Sequence, residues 1–256
     1  MCTECGERLF KSSGWALLIG ALAMAVSIAA APDTQAKAKT HEAKPQSGWV
    51  LVQQTLTGGK QILSVTVDGI KIVNEDTHFT TISRAPAWNV LTCNDANKIF
   101  METAFAKFHG RYLRRLDQLR FADLSVPLQS LSGEPLMGFK TMKFVMKPGP
   151  VQSTDEMLAF TVIALDQPPQ PANACSLLCH MYGIRSIGKI PLQIGYRNMK
   201  NRLRMRLTTK SISTRNDITI SMQPPAGYTR TTEESKLMLD SKGKMEMDDM
   251  VDSLGK

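Results

Sequence analysis

The sequence predicts a mainly-β protein, an antiparallel meander accompanied by two or three helices. Three observations carry this reading. Short alternating runs rich in β-branched residues follow one another from Trp49 to Glu102. The turns between them are too short for the crossover that parallel neighbours require. Helical spacing of apolar residues returns only in brief stretches.

In the first run, Val50, Val52 and Leu56 alternate with Leu51, Gln53 and Thr55, and Gly58-Gly59 breaks it as a hairpin turn would. Gln61 to Val67 is the next strand. Asp68-Gly69 is a strong two-residue hairpin signal, and Ile70 to Val73 resumes the pattern beyond it. His78 to Ser83, Trp88 to Cys93 and Lys98 to Glu102 continue the meander, separated by Ala85-Pro86 and Asn94-Asp95-Ala96-Asn97. The period then changes. Phe105, Phe108, Tyr112, Leu116 and Leu119 fall at helical spacing, and Gly110 weakens that helix by about 1 kcal/mol relative to Ala.

Strands return after Leu136. Met142, Phe144 and Met146 alternate with Lys143 and Lys147, and Leu158 to Leu165 is almost wholly apolar before a Pro-rich stop at Gln167-Pro168-Pro169-Gln170-Pro171. Asn173 to Tyr182 reads as a short helix with Asn173 as its cap and Gly183 as its stop. Ile190 to Tyr196 and Arg202 to Ser213 are again strands. In the last, Arg202, Arg204 and Arg206 alternate with Leu203, Met205 and Leu207, which predicts one basic and one apolar face. The total is about nine or ten strands, with no repeat of fixed period.

The two ends differ in kind from this body. Trp15 to Ala31 is uncharged and apolar, follows Arg8 and Lys11, and runs into small residues, the construction of an export signal. Cleavage is expected after Ala36 or Ala38, and retention as a signal anchor is the alternative. Residues 1–36 are therefore read as the signal, 37–47 as a flexible linker of Lys, Ala, Thr, Glu, Pro and Gln, 48–230 as the β domain and 231–256 as an acidic tail. In that tail Met247, Met250, Val251 and Leu254 have the spacing of a short amphipathic helix. The protein is expected to work outside the cytoplasm, in the periplasm or envelope.

The chain carries 31 Lys and Arg against 23 Asp and Glu, a net charge of +8 at pH 7. Its acids concentrate at the C-terminus, so the body is more basic still. Outside the cytoplasm a basic body suits anionic lipid headgroups or wall polymers, and nucleic acid would be in the wrong compartment. Beyond Cys2 and Cys5 of the signal there remain Cys93, Cys175 and Cys179. An odd number leaves open one bridge, with Cys175 and Cys179 as candidates, or three thiols. Cys175, Cys179 and His180 also form the one ligand-like cluster, which His78, His109 or Cys93 would have to complete for a metal. No metal or other cofactor is expected.

No Gly-x-Ser-x-Gly elbow, glycine-rich phosphate loop or patterned histidine is present, so an enzyme is not expected. The row Arg197, Lys200, Arg202, Arg204, Arg206 and Lys210, extended by Arg215, is the candidate contact surface for an anionic membrane.

Several phrases together resemble the periplasmic lipoprotein-carrier superfamily, the LolA/LolB-like group. These are Ile72-Val73-Asn74-Glu75, Thr80-Thr81-Ile82, Trp88-Asn89-Val90, Asn94-Asp95-Ala96-Asn97-Lys98-Ile99-Phe100, then Ile190-Pro191-Leu192 and Pro224-Pro225-Ala226-Gly227-Tyr228. The resemblance spans about residues 48–230 and departs from the group in the segment from Pro168 to Ile187 and in the acidic tail. It implies a strongly curved antiparallel sheet, a half-barrel, with helices packed on its concave side, where relatives accept acyl chains. The abundance of Met suits such a cavity independently, because thioethers fill irregular apolar space. Phe105, Met142, Phe144, Met146 and Met205 are the candidate pocket residues. The leading expectation is a carrier of a lipid or lipidated ligand. An adaptor that contacts membrane or wall polymer through the basic strand, and a metal or haem protein, are the alternatives.

Overall fold

The computed structural model describes residues 44–56, 58–108, 128–146, 159–197 and 202–238. The first of two meanders comprises β1 (Gln46–Thr55), β2 (Gly59–Thr66), β3 (Gly69–Asn74), β4 (Phe79–Arg84), β5 (Val90–Asn94) and β6 (Ile99–Thr103). The second comprises β7 (Leu128–Ser132), β8 (Thr141–Met146), β9 (Ala159–Leu165), β10 (Pro191–Arg197) and β11 (Leu203–Ile218). All of these strands pair antiparallel, and β11 closes on β1. A short β12 (Thr229–Arg230) runs parallel to β6 at the far edge. The result is one open, curved, twelve-stranded sheet of order β12-β6-β5-β4-β3-β2-β1-β11-β10-β9-β8-β7, the mainly-β architecture expected.

The turn chemistry explains the first meander. In both the β3–β4 and β5–β6 hairpins an asparagine folds the chain on itself: Thr77 N–H donates to Asn74 Oδ1 at 2.9 Å and Asn97 N–H to Asn94 Oδ1 at 3.1 Å. Each turn then passes through a left-handed residue, His78 (φ 57°) and Lys98 (φ 53°). At the β2–β3 turn, Thr66 Oγ1 donates to Asp68 Oδ1 at 3.0 Å, and Arg84 forks onto Asp68 through Nε (3.1 Å) and Nη2 (2.9 Å).

One helix covers the sheet between β9 and β10. This is α1 (Ala172–Met181), which follows the Pro-rich stop. Pro171, not Asn173, stands at its N-cap, with no side-chain cap bond. Its end is as expected: Gly183 (φ 62°) donates to His180 O at 3.1 Å and Ile184 N–H to Cys179 O at 2.9 Å, the paired bonds of a Schellman stop.

Several other expectations need correction. β1 starts at Gln46, inside the segment read as linker, and of its two alternating sets it is Trp49, Leu51 and Gln53 that form the buried face. β7 and β12 were not anticipated. The helix expected from Phe105 shows only a 3-10 turn at Phe105–Lys107 before the chain leaves the described residues. The tail contains α2 (Glu234–Met238), whose Leu237 is fully buried and whose Leu237 carbonyl accepts from Asn94 Nδ2 at 2.9 Å. The signal segment and the helix expected near Met250 lie outside the described residues. No helix among the described residues is long and apolar enough to cross a membrane.

The two sheet faces are finished differently. The face beneath α1 holds the main core, where Trp49, Leu63, Ile72, Val162 and Ile194 meet Leu177 and Leu178 of α1. On the outer face of the first meander, Ile82, Leu91 and Cys93 are covered by the chain leaving β11 through Ile218, Ile220, Met222 and Tyr228. This strap is held by Arg84 Nη1 to Ile220 O (3.2 Å), Tyr228 Oη to Asp95 Oδ1 (2.9 Å) and Thr229 N–H to Lys98 O (2.8 Å).

Candidate functional site

The α1 face is built from both meanders, because β1 and β11 pair between them. Leu51 of β1 stands opposite Leu63 on one side and Ile212 on the other, and Leu207 carries the same face across to Ile194, Val162 and Phe144. Around this cluster lies a half-buried rim of Trp88, Phe105, Leu128, Leu136, Phe139 and Met142. Phe139, from the β7–β8 connection, reaches back over the sheet and meets Trp49 edge to face at 5.4 Å and 87°. Trp49 is 6% exposed, and its Nε1 has no hydrogen-bond partner among the described residues. A buried donor left in this state costs about 1–3 kcal/mol.

Beside this apolar floor is a compact polar centre. Gln61 Nε2 donates to Gln53 Oε1 at 2.8 Å, the Tyr182 hydroxyl donates to the same oxygen at 3.0 Å, and Gln61 Nε2 also meets the Tyr182 hydroxyl. Gln53 Nε2 donates to Pro191 O (2.9 Å) and Thr209 Oγ1 (3.1 Å), and Thr209 Oγ1 donates to Leu192 O (2.7 Å). These bonds tie α1, through the tyrosine just beyond it, to β1, β2, β10 and β11. Burial pushes the Tyr182 phenol far above its ordinary range; the Gln61 bond and the Arg206 charge oppose that shift. The phenol therefore stays a neutral donor. The sequence held a signal for this centre: Gln53 and Gln61 interrupt the buried phase of two strands at paired positions.

Of the candidate pocket residues, Phe144 is buried in the cluster, and Met142 and Phe105 pack against it half-buried. Phe105 stacks on His180 with ring centroids 6.3 Å apart. Met205 stands apart on the outer face, opposite Gly195 and 36% exposed. The Met146 side chain lies outside the described residues.

The basic row does not form the continuous face its alternation predicts. β11 carries one extra residue at Arg206 relative to β10 and another at Lys210 relative to β1. Each extra residue reverses the alternation. Arg204 consequently shares the α1 side with Tyr196, Leu203 and Met205 face outward, and Arg206 is only 6% exposed. Arg197, Arg202, Arg204 and Lys210 are exposed, and Lys200 lies outside the described residues.

Cys93, Cys175 and Cys179 are free and buried, so the bridge considered between Cys175 and Cys179 is absent. Burial raises their thiols to about 11, 11 and 12 respectively, which keeps them protonated and poorly nucleophilic at neutral pH. Cys175 and Cys179 point into the core from α1 while His180 lies against Phe105. Among the described residues no three metal-ligating side chains converge.

Fold and site together define a mainly-β protein in which one face of an open curved sheet is apolar and, among the described residues, packs against α1. No family model and no curated protein matches the chain. Solved structures similar to it include an uncharacterized conserved protein from Thermus thermophilus, with 9% identity, a TM-score of 0.34, and coverage of 73% of this chain and 90% of that one. The MucA/MucB complex of Pseudomonas aeruginosa is similar at 12% identity and a TM-score of 0.28 over 78% of this chain and 58% of that one. A domain named for outer membrane lipoprotein sorting, from Vibrio parahaemolyticus, is similar at 10% identity and a TM-score of 0.27 over 68% of this chain and 87% of that one.

Proposed function

We propose that this chain is an exported, non-enzymatic binding or carrier protein that takes the acyl part of a lipid or lipidated ligand onto the α1 face. The observation that carries this reading is Trp49. Its indole N–H is buried beside Phe139, within an apolar cluster whose rim of aromatic and thioether side chains is only half-buried. An ester or amide carbonyl at the head of an acyl chain is the natural acceptor for that donor. The chain itself suits the apolar rim, where Met142 and Phe105 can repack around it. The apolar run Trp15–Ala31 supports export, and the neutral amide, phenol and indole donors of this face suit carriage.

Native mass spectrometry of the protein purified from the export compartment tests this directly. Added mass matching acyl-bearing species is expected. Trp49→Phe keeps an aromatic ring of smaller size and removes the donor, so retained ligand should fall by about fivefold to tenfold, the worth of one hydrogen bond of about 1 kcal/mol or slightly more. A wild-type protein that carries no acyl mass and takes up none from added lipid overturns the reading.

A further inference from the structure

Among the described residues, the outer face of the second meander has no counterpart to the strap that covers the first. The ladder sets Leu131, Lys143, Ile163 and Gln193 in one row, and Val145, Thr161, Gly195 and Met205 in the next. Beyond them Arg197 stands opposite Leu203. Large apolar side chains remain in the open here: Leu203 is 57% exposed, Leu131 43% and Met205 36%. Exposed cations, Lys143, Arg197 and Lys210, are interspersed with them. Within the strands β7 to β11 themselves Asp217 is the single acid, Glu134 and Asp166 lying in the connections between them. From β7 to β11 the face is about 19 Å wide, four inter-strand spacings.

We infer that this face docks on an anionic lipid bilayer. Apolar side chains set singly among cations match the headgroup region, where Leu203, Met205 and Leu131 would enter the acyl boundary while Lys143 and Arg197 extend their stems and reach phosphates. A second copy of the chain is the poorer occupant, because a two-fold contact through this face would set its cations against one another. Three partly inserted side chains give a modest apolar contribution, so binding depends on anionic lipid as the second signal. Docking is independent of the ligand reading for the α1 face, which lies on the other side of the sheet.

Co-sedimentation of the full chain with vesicles of phosphatidylcholine alone, and of equal parts phosphatidylcholine and phosphatidylglycerol, tests the inference. The apolar run Trp15–Ala31 is common to every variant and to both vesicle types, so the ratio of the two affinities is the readout. Wild type should favour the anionic vesicles, less so as salt rises. Lys143→Gln with Arg197→Gln should reduce the ratio by about 25-fold, roughly fivefold per charge. Leu203→Ser with Met205→Ser should weaken binding to anionic vesicles by about fivefold for each side chain. Lys98→Gln with Lys107→Gln, on the first half of the chain, removes the same charge and should leave the ratio within twofold of wild type.

Equal wild-type affinity for the two vesicles overturns the inference, as does an equal loss in the Lys98 and Lys107 variant. A dimer seen by light scattering that Leu203→Ser with Met205→Ser dissolves also overturns it, assigning the face to a second copy. Acyl mass measured on the same preparations separates this from the carrier reading. Docking that persists in a protein without acyl mass counts against carriage alone.

Discussion

The two meanders share one sheet and one core beneath α1, yet their outer faces are opposites. The first is closed by the strap from Ile218 to Tyr228, with Arg84, Asp95 and Lys98 as its anchoring points. The second leaves Leu131, Leu203 and Met205 in solvent among cations. A sheet can be apolar on both sides only where both sides are covered, so a partly apolar face left exposed by the described residues is the natural candidate for a contact surface. The difference lies in sidedness rather than overall hydrophobicity, and substitutions can test it.

The largest effect is expected on the covered side. Ile220→Ala removes the strap's central anchor and should cost about 2–5 kcal/mol by denaturant unfolding. Amide exchange should quicken in β4 to β6 and stay unchanged in β8 to β10. Equal quickening in both would mean that the halves are not distinct. Tyr182→Phe, at the polar centre that ties both meanders to α1, should cost about 1–3 kcal/mol, because Gln53 and Gln61 lose a buried partner. Its effect on exchange should extend across the β1–β11 junction and so mark the coupling between the halves.

Smaller again is Asp68. Burial works to raise its carboxyl, but bonds from Gln46, Arg84 and Thr66 and the Arg84 charge bring it below the usual 3.8. A folded value below the unfolded one gives stability that is complete above about pH 4 and declines as pH falls through the folded value. Asp68→Asn should therefore lower stability by about 1 kcal/mol at neutral pH and make acid unfolding less steep below about pH 4. The smallest effect belongs to the open side. Leu203→Ser with Met205→Ser should leave the unfolding free energy within about 0.5 kcal/mol of wild type, since both side chains are already exposed. A loss of several kcal/mol there would show that the face is covered in solution.

Much of the first meander was legible because its turns are written in local chemistry: Asp68-Gly69 and the paired asparagines act within a few residues of themselves. β7 was not legible, since its Leu-Gln-Ser-Leu-Ser lies at the sheet edge, largely exposed, and needs no alternation. Nor were the faces of β11. Arg206 and Lys210 look like ordinary members of an alternating run, and only the partners on either side reveal them as extra residues. At the site, Phe144 and Met142 could be read from their period. The Trp49 donor could not, because its lack of a partner depends on what folds over it. The buried glutamines could have been noticed as polar residues in a phase occupied by Trp49, Leu51, Leu63 and Val65.

The junction of β1 with β11 also orders events in time. Hairpins of the first meander join near neighbours in sequence and can form as soon as their turns exist. Gln53 and Thr209 meet across 156 residues. Bringing such distant segments together works against the entropy of a long loop, and no part of β11 exists until most of the chain has been synthesised. Until then β1 offers an unpaired edge and α1 has only half a floor. The nascent protein thus passes through a stage in which its first meander is foldable but unsealed, with the β1 edge open to wrong pairing until β11 arrives.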